Sequence, residues 1–337
     1  YGSLYFRDAL YGLSSTFVMS LYLSLAIIIS AFTILVLQFK KDKHNIIGQT
    51  SAAGWLVLIA FVALQFISYS IWSQSVARNY SFSKTTFDSS AIVVNNQIAD
   101  RIKSYFNVLN AFRGLYASTP SVSQGEFDRY IQTLDLPKNY PGVRSIFYVS
   151  LVPTNQLNRL ISERRSDTSL YPQGNPDFDI RLRSSLDTHY ILTYSNNTTL
   201  TPGIDFTSVP SRRGTYDKAL SEQRAISSGT VKFNLNPDLP TLTGFFLTIP
   251  VANEKTAQNN VGFVTVGFNY TDFFSQNFNS DKLPAGLNIA VTDKQDNSEV
   301  FRSSSSTEHQ NAPFHKQFDL PVANKSWNVK IAAPHNY

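Results

Sequence analysis

Two uncharged apolar runs near the start constrain this chain more than anything after them. Neither Phe17–Phe39 nor Ala52–Trp72 contains an Asp, Glu, Lys or Arg. As a helix, each is long enough to cross the roughly 30 Å hydrocarbon core of a bilayer. Tyr69 and Trp72 close the second run with rings suited to the headgroup level. The alternative is a pair of helices buried in a soluble core. Between the runs, Lys40-Lys41-Asp42-Lys43-His44 is the densest basic cluster beside either one, and the positive-inside rule places it in the cytoplasm. The segments before Phe17 and after Trp72 then face outward. A signal peptide is a poor account of the first run, because its apolar region would be shorter and followed by a small-residue cleavage site. Tyr1 is not Met, so the expectation is that further membrane helices precede it. The whole reads as a multi-pass protein of the inner (cytoplasmic) membrane, with residues after about 75 in the periplasm or exterior.

From Val76 the composition turns polar. Ile98, Ile102, Tyr105, Leu109, Phe112 and Leu115 or Tyr116 then recur in steps of three and four, which keeps them on one helical face. No Pro or Gly interrupts between Ser73 and Arg113. This predicts a continuous helix leaving the membrane, a stalk over 76–117, whose stripe is either core or a seam between two copies.

Composition excludes several functions. With no cysteine there is no disulfide scaffold, thiolate metal site or Cys nucleophile. The net charge of +5 is scattered rather than gathered into the stripe that nucleic acid requires. The histidines, at 44, 189, 309, 315 and 335, form no H-E-x-x-H or comparable metal pattern. There is no G-x-S-x-G elbow, phosphate-binding loop or dinucleotide fingerprint. This portion is expected to be no enzyme and to need no cofactor or metal.

After Pro120 the pattern is mixed α and β. Helices are predicted over Gln124–Leu134, Asn155–Arg165, Ser211–Gln223 (with Ser211 as N-cap) and Thr271–Phe278. Strands are predicted over Val143–Val152, Tyr190–Tyr194, Thr241–Val251, Val261–Asn269, Leu287–Val291 and Ser326–Ala333. The Tyr140-Pro141-Gly142 turn launches the first strand. The two strands around the Ala252–Asn260 loop are the most apolar and should lie mid-sheet. Alternation puts Trp327, Val329 and Ile331 on one face of the last strand. A loop or hairpin is expected near Ser303–Ser306.

The chemistry available is that of binding. Arg212-Arg213, at the start of a predicted helix after Pro210, can hold a carboxylate or phosphate through bidentate hydrogen bonds and the helix dipole. Alternatively, one arginine pairs with Asp205 as a structural salt bridge. Phe246 and Thr248 share one strand face, where a hydroxyl among aromatics can orient a small ligand. Thr248 can equally bond within its own sheet.

In order along the chain stand Arg113-Gly114-Leu115-Tyr116-Ala117-Ser118, Val122-Ser123 with Glu126-Phe127, and Tyr140-Pro141-Gly142-Val143. After them come Tyr194, Asp205 with Arg212-Arg213, and Gly244-Phe245 with Pro250-Val251. Over Ala111–Val251 this set resembles the CHASE domain, the extracytoplasmic sensor of histidine kinases and cyclic-dinucleotide enzymes. The resemblance implies an α+β fold: two transmembrane helices, a long stalk helix, then two tandem PAS-like α/β domains. The boundaries would be 1–75 membrane, 76–117 stalk, 118–258 membrane-distal ligand-binding domain and 259–337 membrane-proximal domain. It also implies a homodimer through the stalk, a further membrane helix after Tyr337 and a cytoplasmic output domain.

In the plant cytokinin receptors of this family an Asp contacts adenine. Counting from Asp205, that position here is Arg212. Two pocket Thr positions fall on Thr248 and near Ser228. An Arg cannot accept hydrogen bonds from an adenine N–H, so an anionic or polar small molecule is the expected ligand, with Arg212, Thr248, Ser228, Phe246, Tyr194 and Asp205 as the candidate site. The sequence further departs from bacterial relatives at Ile191 and Asn196-Asn197, which flank Tyr194. A rival reading is an exported protein-interaction or adhesion module without a small-molecule pocket.

Overall fold

The computed structural model describes residues 28, 32, 52–119, 121–197, 200–232, 243–252, 262–278, 283–284, 286–303, 312–334 and 337. The first apolar run (all but Ile28 and Phe32), the basic loop after it, most of the Ala252–Asn260 loop and Ser304–Ser306 lie outside them. By packing, the chain falls into two units: one holds the part up to Ser89 with Ala312–Phe314 and Ala333–Tyr337, the other holds Ser90–Asn311 with His315–Ala332.

Helix α1 (Ala52–Ser118) starts in the second apolar run and continues through the amphipathic stripe. Among the described residues, its stretch from Ile59 onward is long and apolar enough to cross a membrane. Ile59, Val62, Leu64, Phe66 and Tyr69 are all more than half exposed, so none of the described residues covers them. Within the first unit, Phe87 is buried against Phe314 at 5.8 Å and meets Tyr337 edge-on at 6.0 Å.

In the second unit the stripe of α1 is core. Ile98, Ile102, Tyr105, Leu109 and Phe112 are buried. Tyr105 packs on Phe268 at 4.6 Å, Phe112 on Phe127 at 5.6 Å and Tyr116 on Tyr148 at 4.4 Å. Each large side chain withdrawn from water in this way stabilises the fold by about 1.5–3 kcal/mol. The stripe is therefore unavailable as a seam between copies.

Helix α2 (Gln124–Leu134) opens with a capping box. Ser123 Oγ accepts from the Glu126 amide, and the Glu126 carboxylate accepts from the Ser123 amide at 2.8 Å. A short α3 (Leu136–Asn139) leads to the Tyr140-Pro141-Gly142 turn and β1 (Val143–Pro153). Gly142 has φ +91°, and a Cβ there would lie 2.8 Å from the Phe273 backbone, so only glycine fits. After β1 come α4 (Leu157–Arg165) and β2 (Thr188–Ser195), then α5 (Pro210–Glu222). The short β3 (Ile226–Ser227) and β4 (Val231–Lys232) precede the long β5 (Thr243–Val251) and β6 (Gly262–Asn269).

These strands make one antiparallel sheet in the order β2-β1-β6-β5-β3, with β4 also on β5. β6 is buried along its whole length and lies between β1 and β5, as its lack of charge requires. The expected boundary after 258 falls between β5 and β6, which pair from Gly244↔Asn269 to Val251↔Gly262. The first sheet thus runs on to Asn269. Ser211 does not cap α5: Val209 occupies the N-cap without a side-chain bond, and Pro210 supplies the preset φ of the first turn.

Helix α6 (Tyr270–Phe278) links the first sheet to a second antiparallel one: β7 (Asn288–Asp293), β8 (Glu299–Arg302), β9 (Phe314–Val322) and β10 (Lys325–Ala333), ordered β8-β7-β10-β9. Trp327, Val329 and Ile331 are buried on one face of β10 as their alternation indicates. Trp327 meets Phe245 at 5.2 Å and Phe273 at 6.0 Å, and Phe274 stacks on Phe301 at 4.4 Å. Sequence reading missed β8 and β9. β9 alternates strictly, but with His315, Gln317 and Asp319 outward and Lys316 on the inner face, and reads as a polar loop. The protein is thus α+β, a long N-terminal helix followed by two antiparallel sheets.

Candidate functional site

The first sheet has two covered faces. One carries α1, α2 and α4. The other carries α5 and the 3-10 turn Phe206–Ser208 that feeds it. On this second face Phe147, Val149, Tyr190, Leu192, Phe206, Tyr216, Ile226 and Phe263 form a buried cluster. Thr265 and Thr248 face each other across β6 and β5 beneath it. Thr265 donates to Thr248 at 2.9 Å, and Thr248 donates to the Val264 carbonyl at 3.5 Å. Thr248 is fully buried, and its hydroxyl bonds within its own sheet.

Arg212 stands on the same face. Its guanidinium lies 4.7 Å from the centre of the Phe206 ring and 5.6 Å from that of Phe246. Stacking on two rings offsets part of the loss of water. Burial nevertheless holds the guanidinium below its ordinary range, with the nearby Tyr216 opposing the shift. Among the described residues no carboxylate pairs with it and no acceptor receives its side-chain N–H groups.

The acids close by in sequence are engaged elsewhere. Asp217 accepts from the Tyr190 hydroxyl and pairs with Arg213 at 3.7 Å on the exposed side of α5. Asp205 is fully buried. It accepts from His189 Nδ1 at 2.8 Å, from the Ser184 amide at 2.9 Å and from the Thr207 amide at 3.0 Å. His189 Nε2 in turn reaches Thr154 Oγ1 at 3.0 Å. The Asp205 carboxylate fixes the turn before α5. It forms no salt bridge with either arginine and points its oxygens at the protein.

Of the expected site residues, the structure brings together Arg212 and Phe246, with Thr248 beneath them. Ser228 adjoins Phe246, but its hydroxyl accepts from the Phe246 amide at 3.1 Å and donates to the Gly229 carbonyl at 2.7 Å. Tyr194 is on the opposite face. β1 and β2 shift register between Tyr148↔Tyr194 and Val149↔Leu192, leaving Thr193 as an extra residue. That bulge turns Tyr194 away from Tyr190 and Leu192. Its ring instead stacks with Phe127 at 5.5 Å, and its hydroxyl donates to the Val122 carbonyl at 3.0 Å.

Phe206 and Tyr216 were not anticipated. The signal available was Asp205-Phe206-Thr207, an Asp-capped turn that swings an aromatic onto the start of the following helix. Two open clefts of about 600 and 560 Å³ lie elsewhere, one along α4 at Asn158, Arg165 and Asp179, the other around Asp135, Tyr140 and Asn196.

Residues 120–301, more than half of the chain, match the CHASE domain family model. No curated protein matches the chain. Among solved structures, a methyl-accepting chemotaxis protein X is similar over 76% of this chain and 99% of its own, with 11% identity and a TM-score of 0.47. The ligand-binding domain of the Pseudomonas aeruginosa PAO1 amino acid chemoreceptor PctC, solved with GABA, is similar over 74% of this chain and 99% of its own, at 12% identity and a TM-score of 0.44. The extracellular domain of a putative histidine kinase, vpHK1S-Z8, shows 9% identity over 74% of this chain and 92% of its own, with a TM-score of 0.37.

Proposed function

We propose a function from the premise that this chain belongs to the CHASE-domain family: it is the small-molecule-sensing part of a bacterial transmembrane receptor, and its ligand is anionic. The observation that carries the second half is Arg212, a desolvated guanidinium between two aromatic rings with no carboxylate among the described residues. Arg212 is half-buried, and an unpaired charge drawn partly out of water is costly. A bound carboxylate or phosphate removes that cost by accepting from the guanidinium in a bidentate way. An adenine has no comparable group to offer there.

In this reading the first and second sheets are the cores of the membrane-distal and membrane-proximal PAS-like domains. α1 is the stalk, and its Ala52–Trp72 part spans the inner membrane with the sheets outside. A homodimer through the stalk uses the face opposite the buried stripe, where Phe82, Ile92 and Val93 are exposed. The cytoplasmic output would be a histidine kinase or a cyclic-di-GMP enzyme. Ligand shifts it only by its differential affinity for two stalk arrangements. Calorimetric titration of the full chain with small carboxylates and inorganic phosphate tests the ligand class. Saturable binding to the wild type, absent in Arg212→Ala, is expected; no binding by any anion to the wild type would overturn it.

A further inference from the structure

Among the described residues, the buried side-chain polar atoms without a hydrogen-bond partner are Asn95 Oδ1, Tyr116 Oη, Arg164 Nε and Asn328 Oδ1. Two of them, Tyr116 Oη and Arg164 Nε, belong to one cluster on the α1 face of the first sheet. Tyr116, in the last turn of α1, stacks on Tyr148 at 4.4 Å with an interplanar angle of 12°. Tyr148 neighbours Tyr194 at 6.0 Å, and the Arg164 guanidinium lies 4.9 Å over the Tyr194 ring. The Arg164 charge also reaches the Tyr116 and Tyr148 hydroxyls, where it opposes the upward push of burial.

Several neighbours of the cluster are closed. Tyr194 donates to Val122, and Ser150 and Thr193 share a bond at 2.6 Å. Arg164 Nη1 pairs with Asp167 at 3.3 Å, and that carboxylate accepts from the Gln124 and Ser169 amides as well. Buried polar groups are nearly always paired, and an orphan bears its full desolvation cost. Two orphaned donors in one cluster call for one shared acceptor.

We propose that Tyr116 and Arg164 together hold a single small hydrogen-bond acceptor, a water molecule or an anion of chloride size. It sits in the interior where the end of α1 meets α4 and the first sheet. Because Asp167 already balances the Arg164 charge, the site asks for an acceptor rather than for a full counter-charge. The occupant ties the last turn of the long helix to α4, on the opposite face of the sheet from Arg212. The inference does not depend on Arg212 binding anything.

The test is thermal unfolding of the full chain in detergent, as wild type, Tyr116→Phe, Arg164→Lys and the double variant, in chloride and in gluconate at matched ionic strength. Tyr116→Phe is expected to lower Tm by about 3 °C or more. The double variant should lose clearly less than the sum of the singles, because one occupant serves both groups. Equal wild-type Tm in the two salts identifies water. A higher Tm in chloride that Tyr116→Phe abolishes identifies an anion. A crystal structure should show a density peak about 3 Å from both atoms, missing in Tyr116→Phe. The proposal fails if Tyr116→Phe melts at or above the wild type in both salts, as removal of a truly unpartnered hydroxyl would produce, or if the two losses simply add.

Discussion

The two faces of the first sheet are made by the same strands, yet they leave opposite things unmatched. On the α1 face, Tyr105, Phe112, Tyr148, Tyr194 and Phe268 interlock with the helices, and Arg164, the cation over Tyr194, is neutralised by Asp167. On the α5 face, Arg212 is stacked on Phe206 and Phe246 with no acid paired to it among the described residues. The difference separates a face that holds the stalk from a face with an unfilled demand for negative charge. Function is read from the second, stability from the first.

The comparison predicts a large loss from the α1 face. Phe268 is fully buried against Tyr105, Phe245 and Phe273. Phe268→Ala should cost about 3–5 kcal/mol in denaturant unfolding; a loss under about 1 kcal/mol would mean that this face is not the structural one. Next comes the frame of the α5 face. Asp205→Ala strands His189 and two amides and should cost about 3 kcal/mol. Intact stability with altered anion binding would instead return Asp205 to the site.

A smaller effect is expected at α2. Ser123→Ala removes a cap worth about 1 kcal/mol. The Ser123 amide and hydroxyl hold the Glu126 carboxyl below its usual range. A lowered carboxylate contributes stability above its unfolded pKa and loses it as pH falls through the folded one. Acid titration should therefore show the wild-type advantage over Ser123→Ala shrinking on the acid side. The smallest change is expected from Arg213→Ala, whose exposed pair with Asp217 is worth about 0–1 kcal/mol.

Much of the fold was legible because its signals are periodic. The stripe from Ile98 to Tyr116, the apolar β5 and β6, and the alternation at Trp327 each follow from a single spacing rule. The site was legible where it depended on residue type, as for Arg212 and Phe246. It was not legible where it depended on register. Tyr194 has the parity of Tyr190 and Leu192, and only an unannounced bulge at Thr193 moves it to the other face. Asp205 is separated from His189 by 16 positions, and nothing local marks the two as partners. The salt bridge that sequence allowed between Asp205 and an arginine is replaced by that pair.

The account rests on Arg212 being an anion site rather than a structural cation, and the two roles predict opposite signs. In a thermal-shift series, wild type and Arg212→Gln are melted alone and with rising acetate, glutamate and inorganic phosphate. The account predicts that at least one anion raises the wild-type Tm, that none raises the variant's, and that the variant alone melts at or above the wild type, because an unpaired, half-buried charge has been removed. An anion-free variant that melts well below the wild type, or a variant that keeps the wild-type shift, would contradict it.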